Sequence, residues 1–218
     1  MSSKTYPTSE FESQLFGSGV KQLIAIDEVG RGAIAGPVAV GVTLTTSDTF
    51  HKPWPAKLCD SKLMSEKLRE ENFQPVADWV DQWAVGMSSA VEIDKIGITK
   101  ALALAAERAI EQLTFNSEGT RILLDGSHNW LGNRSYGVTV AVRPKADRDC
   151  VSVAAASVLA KVTRDRLMVE LAEEFPGFGF EGHKGYASAT HIEAVRSLRP
   201  SIQHRVTWLD RILAIESN

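Results

Sequence analysis

Cysteine is nearly absent. Only Cys59 and Cys150 occur in the 218 residues, at no spacing that builds a disulfide framework or a thiolate metal site. A small disulfide-stapled secreted scaffold is therefore excluded, and a reducing compartment fits. Long apolar runs are missing too. No stretch reaches the roughly 18 residues needed to cross a bilayer, and the opening MSSKTYPTSEFESQLF has no basic segment followed by an apolar one. Neither a membrane span nor a secretory leader is indicated, so the expected address is cytoplasmic. Neither charge sign dominates: 24 Lys and Arg stand against 27 Asp and Glu, a formal net charge of −3, which predicts no general affinity for nucleic acid. Internal repeats, low-complexity tracts and clear linkers are also lacking.

What remains is an ordinary globular composition, 44% hydrophobic, in a chain long enough for one large domain with a full core. Local charge is less even than the total. From Arg143 to Arg166 the bases Arg143, Lys145, Arg148, Lys161, Arg164 and Arg166 outnumber Asp147, Asp149 and Asp165. That distribution suits a phosphate-binding face, and it equally suits a solvated helix surface.

Branched residues make LIAIDEV and VAVGVTLTT two strands joined by a glycine turn, with WAVGMSSAVE as a third, an antiparallel start. GITKALALAAERAIEQL carries helix formers at helical spacing and leads to the short buried strand RILLDG. The strand YGVTVAVR then precedes a long helix, VSVAAASVLAKVTRDRLMVELAEEF. After Pro176 come the glycine and aromatic loop PGFGFEGHKGY and two short helices, SATHIEAVRSL and WLDRILAI. The sum is an α/β fold, a mixed sheet flanked by helices with a helical C-terminal attachment.

The turn in IAIDEVGRGAIAGPVAVGV raises the chemical question, because Asp27 and Glu28 stand immediately before Gly30, Gly32 and Gly36. A dinucleotide fingerprint would need a helix directly after the glycines, whereas here Pro37 and an alternating strand follow. Adjacent carboxylates beside a backbone able to approach phosphate make sense around a hard divalent cation, which takes carboxylate, water and phosphate oxygens. Successive strand side chains point to opposite faces, so convergence of Asp27 and Glu28 requires the strand to end or bulge there. Further ligands are expected at the ends of neighbouring elements. Asp125 ends an apolar strand, and Asp147 and Asp149 precede the long helix; spacing alone does not choose between the last two.

These residues resemble type 2 ribonuclease H, ribonuclease HII. The matching pieces are IDEVGRGAIAGPV, LCDSKLMSEKLRE, LLDG, KADRDCVSVAAASVLAKVTRDR, FPGFGFEGHKGYASATHIEAV and LRPSIQHRVTW, running in order from about residue 22 to 208. The resemblance implies the ribonuclease H-like fold, a five-stranded mixed sheet flanked by helices. It implies one domain over 1–218, with a catalytic core at about 20–175 and a C-terminal loop and helical region at about 176–218. It further implies hydrolysis of the RNA strand of RNA·DNA hybrids, and incision 5′ to ribonucleotides embedded in duplex DNA, leaving 5′-phosphate and 3′-OH ends. Two metal ions, Mg²⁺ or Mn²⁺, would be held by Asp27, Glu28, Asp125 and Asp147. Asp147 is selected over Asp149 by its distance from AAAS. The resemblance assigns substrate binding to Gly30, Arg31, Gly32 and Tyr186, with Lys184 a candidate phosphate contact, in a monomer. Ala33 and Ile34 depart from the family's usual Pro or Cys followed by Leu, and Ala146 replaces a usual Gly. The related ribonuclease HIII usually has Thr at the Arg31 position. A metal-independent mechanism would instead draw on His51, His128, His183, His191 and His204. The C-terminal WLDRILAIESN contains no clear clamp-binding pattern.

Overall fold

The computed structural model describes residues 6–132 and 136–213. Helix α1 (Glu10–Gly17) leads into β1 (Gln22–Val29), and the glycine turn carries the chain to β2 (Val38–Thr45). Two 3₁₀ turns, Asp48–His51 and Ser61–Leu63, precede α2 (Glu66–Trp79), β3 (Gln82–Ser88), α3 (Ala90–Ile96) and α4 (Ile98–Ile110). The chain continues through β4 (Thr120–Asp125), β5 (Thr139–Arg143), α5 (Ala146–Asp149), α6 (Val151–Glu174), α7 (Phe180–His183), α8 (Ala189–Leu198) and α9 (Val206–Leu213). The opening MSSKT and the end of WLDRILAIESN from residue 214 lie outside the described residues.

The strands form one mixed sheet in the order β3-β2-β1-β4-β5. β1, β2 and β3 pair antiparallel, in keeping with their short connections, while β4 and β5 add in parallel beside β1. Alternation along β1 assigns its two faces. Ile24 and Ile26 join Ala101, Leu102 and Ala105 of α4 in one core, while Leu23 and Ala25 pack with Leu15 of α1 and Val153 of α6 in another. α6 lies very close to the sheet. A Cβ on Gly41 of β2 would overlap the Ala156 carbonyl oxygen and crowd Ala160, so only glycine admits the helix at that distance. The small residues of VAVGV and VAAASVLA thus form a matched pair of surfaces.

One expectation needs correction. WAVGMSSAVE is not one strand: β3 stops at Ser88, and Ser89 and Glu92 form a reciprocal capping box that starts α3. A capping box satisfies two otherwise unpaired helix donors, which outweighs the strand propensity of the segment's last residues. Helices α1 and α2 were not anticipated either. α2 begins at Ser65, whose hydroxyl accepts from the Leu68 amide, and its Pro75 sits inside the helix. The C-terminal elements pack onto the body through Phe178, Phe180, Val195 and Leu209, which meet Ile34 and Met168. Among the described residues no helix is long and apolar enough to cross a membrane.

Candidate metal centre and substrate loops

Asp27 and Glu28 do converge, but no bulge brings them together. The β1–β2 ladder runs in regular register through both, Asp27 opposite Gly41 and Glu28 opposite Val40. What ends is the other side: the β1–β4 ladder stops at Ile26 opposite Leu124. Beyond that point the edge of β1 is open, and both carboxylates reach Asp125 at the end of β4. Ligand oxygens of Asp27, Glu28 and Asp125 all lie within 4.8 Å of one another. Asp27 Oδ1 is buried and has no hydrogen-bond partner. An orphaned buried carboxylate oxygen among oxygen ligands fits a hard divalent cation.

Like charge and burial leave their mark on the titration of the group. Burial raises the pKa of Asp27 well above the carboxylate range, and Glu28, Asp125 and Asp147 add to the rise against the opposing pull of Lys62. Glu28 is raised by burial and by Asp125, with Arg31 and Lys62 opposing. Asp147 is pushed up to about 6, first by burial and then by Asp125 and Asp60.

Asp147 stands on α5, which is tied to the centre through Asp125. Asp125 Oδ1 accepts from the amides of Ala146 at 2.7 Å and Asp147 at 3.4 Å. Ala146 in place of glycine costs nothing here, because the left-handed backbone falls one residue earlier, on Lys145 with φ 62°. Asp149, two residues on, turns instead to Arg143, with an oxygen 2.9 Å from Nη2.

Two residues of the centre were missed by the sequence reading. Lys62 places Nζ 3.6 Å from Asp147 Oδ2. Burial opposes its charge, but Asp27, Asp60, Asp147 and Glu28 together outweigh that and raise its pKa. Asp60 is fully buried and caps the turn that carries Lys62 by accepting from the Lys62 amide. The signal was the acid and base set into the apolar stretch LCDSKLM, where a solvated loop would carry no such burial.

The substrate candidates occupy two adjoining loops. The Ile34 and Ala35 amides both donate to Gly185 O, at 2.9 and 3.1 Å, which zips the glycine turn to the HKGY loop. Arg31 is half exposed, with Nη1 3.7 Å from Glu28 Oε1. Tyr186 is exposed at the surface, its ring over Lys161 and Arg164. Lys184 is nearly buried; its ammonium donates to Glu181 O and lies 3.2 Å from Glu66 Oε1.

Arg164 is not part of a solvated or phosphate-facing helix surface. It is fully buried beneath these loops. Lys161 is held by Asp165 at 2.7 Å. The histidines are structural in geometry: His183, His191 and His204 pack with Phe178 and Phe180, and His191 Nε2 lies 3.1 Å from His204 Nε2. Burial pulls the His191 pKa down to about 4, so it is neutral at physiological pH. His51 and His128 are exposed.

The family model for ribonuclease HII matches residues 24–210. The chain belongs to the ribonuclease HII family. The chain is 42% identical over 203 residues to ribonuclease HII of Streptomyces avermitilis, which covers 93% of this chain and 83% of the relative. The solved ribonuclease H2 of Pyrococcus horikoshii superposes with a TM-score of 0.71 at 24% identity, covering 89% of this chain and 97% of that one. A Bst ribonuclease HIII solved in complex with Mn²⁺ superposes with a TM-score of 0.71 at 21% identity, covering 93% and 72%. Membership in this family makes the chain a nuclease, and the five-stranded mixed sheet is the family's fold.

Proposed function

We propose that this chain hydrolyses the RNA strand of RNA·DNA hybrids and incises duplex DNA on the 5′ side of embedded ribonucleotides, leaving 5′-phosphate and 3′-OH ends. The observation that carries the reading is the convergence of Asp27, Glu28 and Asp125 at the open end of β1, with Asp147 tied to Asp125 through α5. These four carboxylates would hold the divalent cations, Mg²⁺ or Mn²⁺. When bound, such cations supply an activated water and stabilisation of the departing oxygen. The Mn²⁺ complex of the Bst ribonuclease HIII supports divalent binding on this fold.

The chain's own groups do the rest. Asp27 is raised by burial and by Glu28, and Glu28 by burial and by Asp125, so both would give up protons as a cation binds, and its capture would strengthen as pH rises. The backbone of Gly30 to Gly32, which follows Glu28 in the chain, and the ring of Tyr186 on the adjoining loop would be the recognition elements for ribose. A site built to hydrogen-bond a hydroxyl rejects an analogue lacking it by roughly 10⁴-fold. The 2′-OH is then recognised and does not attack, which fits a buried, neutral His191 packed against Phe180. Packing of Phe178 and Phe180 with Ile34 in one core supports reading the catalytic core and the C-terminal region as one domain.

The test is an end-labelled DNA duplex carrying one ribonucleotide, incubated with Mg²⁺ or Mn²⁺ beside an all-DNA control and read at nucleotide resolution. Incision 5′ to the ribonucleotide with the control intact is the expected result, and chelator should abolish it. Cleavage of the all-DNA control, or activity that survives chelation, would overturn the reading.

A further inference from the structure

Two guanidinium groups lie fully buried beneath the glycine turn and the HKGY loop, Arg164 from α6 and Arg205 from the start of α9. Among the described residues neither has a carboxylate within ion-pairing distance. An unpaired buried charge is costly, so the compensation must come from elsewhere. It comes from backbone carbonyls. Arg205 donates to Gly30 O at 2.7 Å, Arg31 O at 2.9 Å and Gly36 O at 3.2 Å. Arg164 donates to Pro37 O at 2.8 Å, Lys184 O at 2.9 Å and Ala35 O at 3.3 Å. The arginine forks are planar and rigid, so each fixes the relative positions of the carbonyls it binds.

The direction of these carbonyls has a consequence on the outer surface. In a trans peptide the C=O of one residue and the N–H of the next point opposite ways. With Gly30 O and Arg31 O drawn inward to Arg205, the amides of Arg31 and Gly32 face outward. Neither amide donates to an acceptor among the described residues. Gly30, with φ +79°, sits directly against Arg164, and a Cβ there would overlap its Nε. Arg164 also lies 5.7 Å from the centre of the Tyr186 ring.

We infer that Arg164 and Arg205 are positioning residues for ribonucleotide recognition: they hold the carbonyls of the 30–37 turn and the 184–186 loop inward, so that the Arg31 and Gly32 amides and the Tyr186 ring face the substrate together. This rests on the functional reading above. A lysine at either position keeps the charge but not the fork, and therefore separates electrostatic support from geometry.

The experiment compares full-length wild type with Arg205→Lys, Arg205→Met and Arg164→Lys. Three properties are read: amide hydrogen exchange of residues 30–37 and 183–187, Mn²⁺ binding by electron paramagnetic resonance, and separate kcat and KM on the duplex with one ribonucleotide. Expected for both lysine variants are a folded protein, Mn²⁺ affinity within about twofold of wild type, exchange of the two loops faster by about tenfold or more, and a KM raised by more than kcat falls. Loops that stay protected, with ribonucleotide cleavage unchanged in Arg205→Lys and Arg164→Lys, would overturn the inference. So would Mn²⁺ affinity and kcat falling together, which marks a general loss of structure. Arg205→Met, if it folds, should show the larger KM effect; equality with wild type counts against the inference. A wild type that leaves the embedded ribonucleotide uncut overturns the functional reading and the recognition role with it, and the wild-type lane distinguishes that from failure of the positioning argument alone.

Discussion

Asp147→Asn offers a quantitative probe of the repulsion stored in the metal-free centre. Asp147 titrates near 6 in the folded protein, against an ordinary value of 3.8. The folded state therefore binds this proton more tightly than the unfolded chain does, so the group's contribution is fully favourable below the unfolded pKa and is lost as pH rises through the folded one. The gap of about two units corresponds to about 3 kcal/mol of destabilisation above pH 7, about half of that at pH 5, and little below pH 4. Asparagine keeps the shape and removes the titration. In EDTA at pH 8 the variant should be more stable by at most about 3 kcal/mol, which for a chain of this size raises Tm by about 6–12 °C. The assay is calorimetric or fluorescence melting of wild type and variant in EDTA across pH 4 to 8. The difference should grow with pH. A gain that is the same at every pH, or a lower Tm at pH 8, would refute the account of burial and neighbouring carboxylates as the source of the shift. Saturating Mg²⁺ should reverse the ranking by stabilising wild type more than the variant.

Asp125→Asn should be nearly neutral or mildly stabilising in EDTA, since the amide oxygen still accepts from Ala146, whereas Asp125→Ala should cost about 1–2 kcal/mol; chemical denaturation distinguishes the two, and a large fall for asparagine would contradict the placement. Gly41→Ala should destabilise by about 1–3 kcal/mol because its methyl would meet the Ala156 carbonyl; an unchanged urea midpoint would mean the sheet and α6 are further apart. Tyr186→Ala, at an exposed ring, should change stability by less than about 1 kcal/mol yet lower kcat/KM on the duplex with one embedded ribonucleotide; an unchanged kcat/KM would remove the tyrosine from recognition.

Much of the framework is written locally in the chain. The branched residues of LIAIDEV and VAVGVTLTT, the helix formers of residues 98–110 and 151–174, and the glycines at 30, 32 and 36 each act over a few neighbours, so the local signal survives without tertiary information. The carboxylates at 27, 28 and 125 are legible for the same reason, as abrupt charge at the end of apolar strands. Asp147 needed the family resemblance, since Asp149 is an equally good helix-start acid when only spacing is available. The capping box at Ser89 and Glu92 was readable in principle, but the apolar residues Trp83, Val85 and Met87 before it pulled the segment toward strand.

The tertiary structure decided what depends on register and burial between distant segments. Asp27 and Glu28 meet Asp125 because β4 stops pairing with β1 at Leu124, a matter of relative strand length that neither segment encodes alone. Lys62 belongs to the centre because the 3₁₀ turn of residues 61–63 packs against it. Arg164 reads as one more base on a charged helix, yet it is buried, because the two loops fold back over α6 and present it with carbonyls in place of water. Side-chain type and spacing determined which groups were available for chemistry; the packing of elements far apart in sequence determined which of them share a site, since burial and charge coupling act through space and not along the chain.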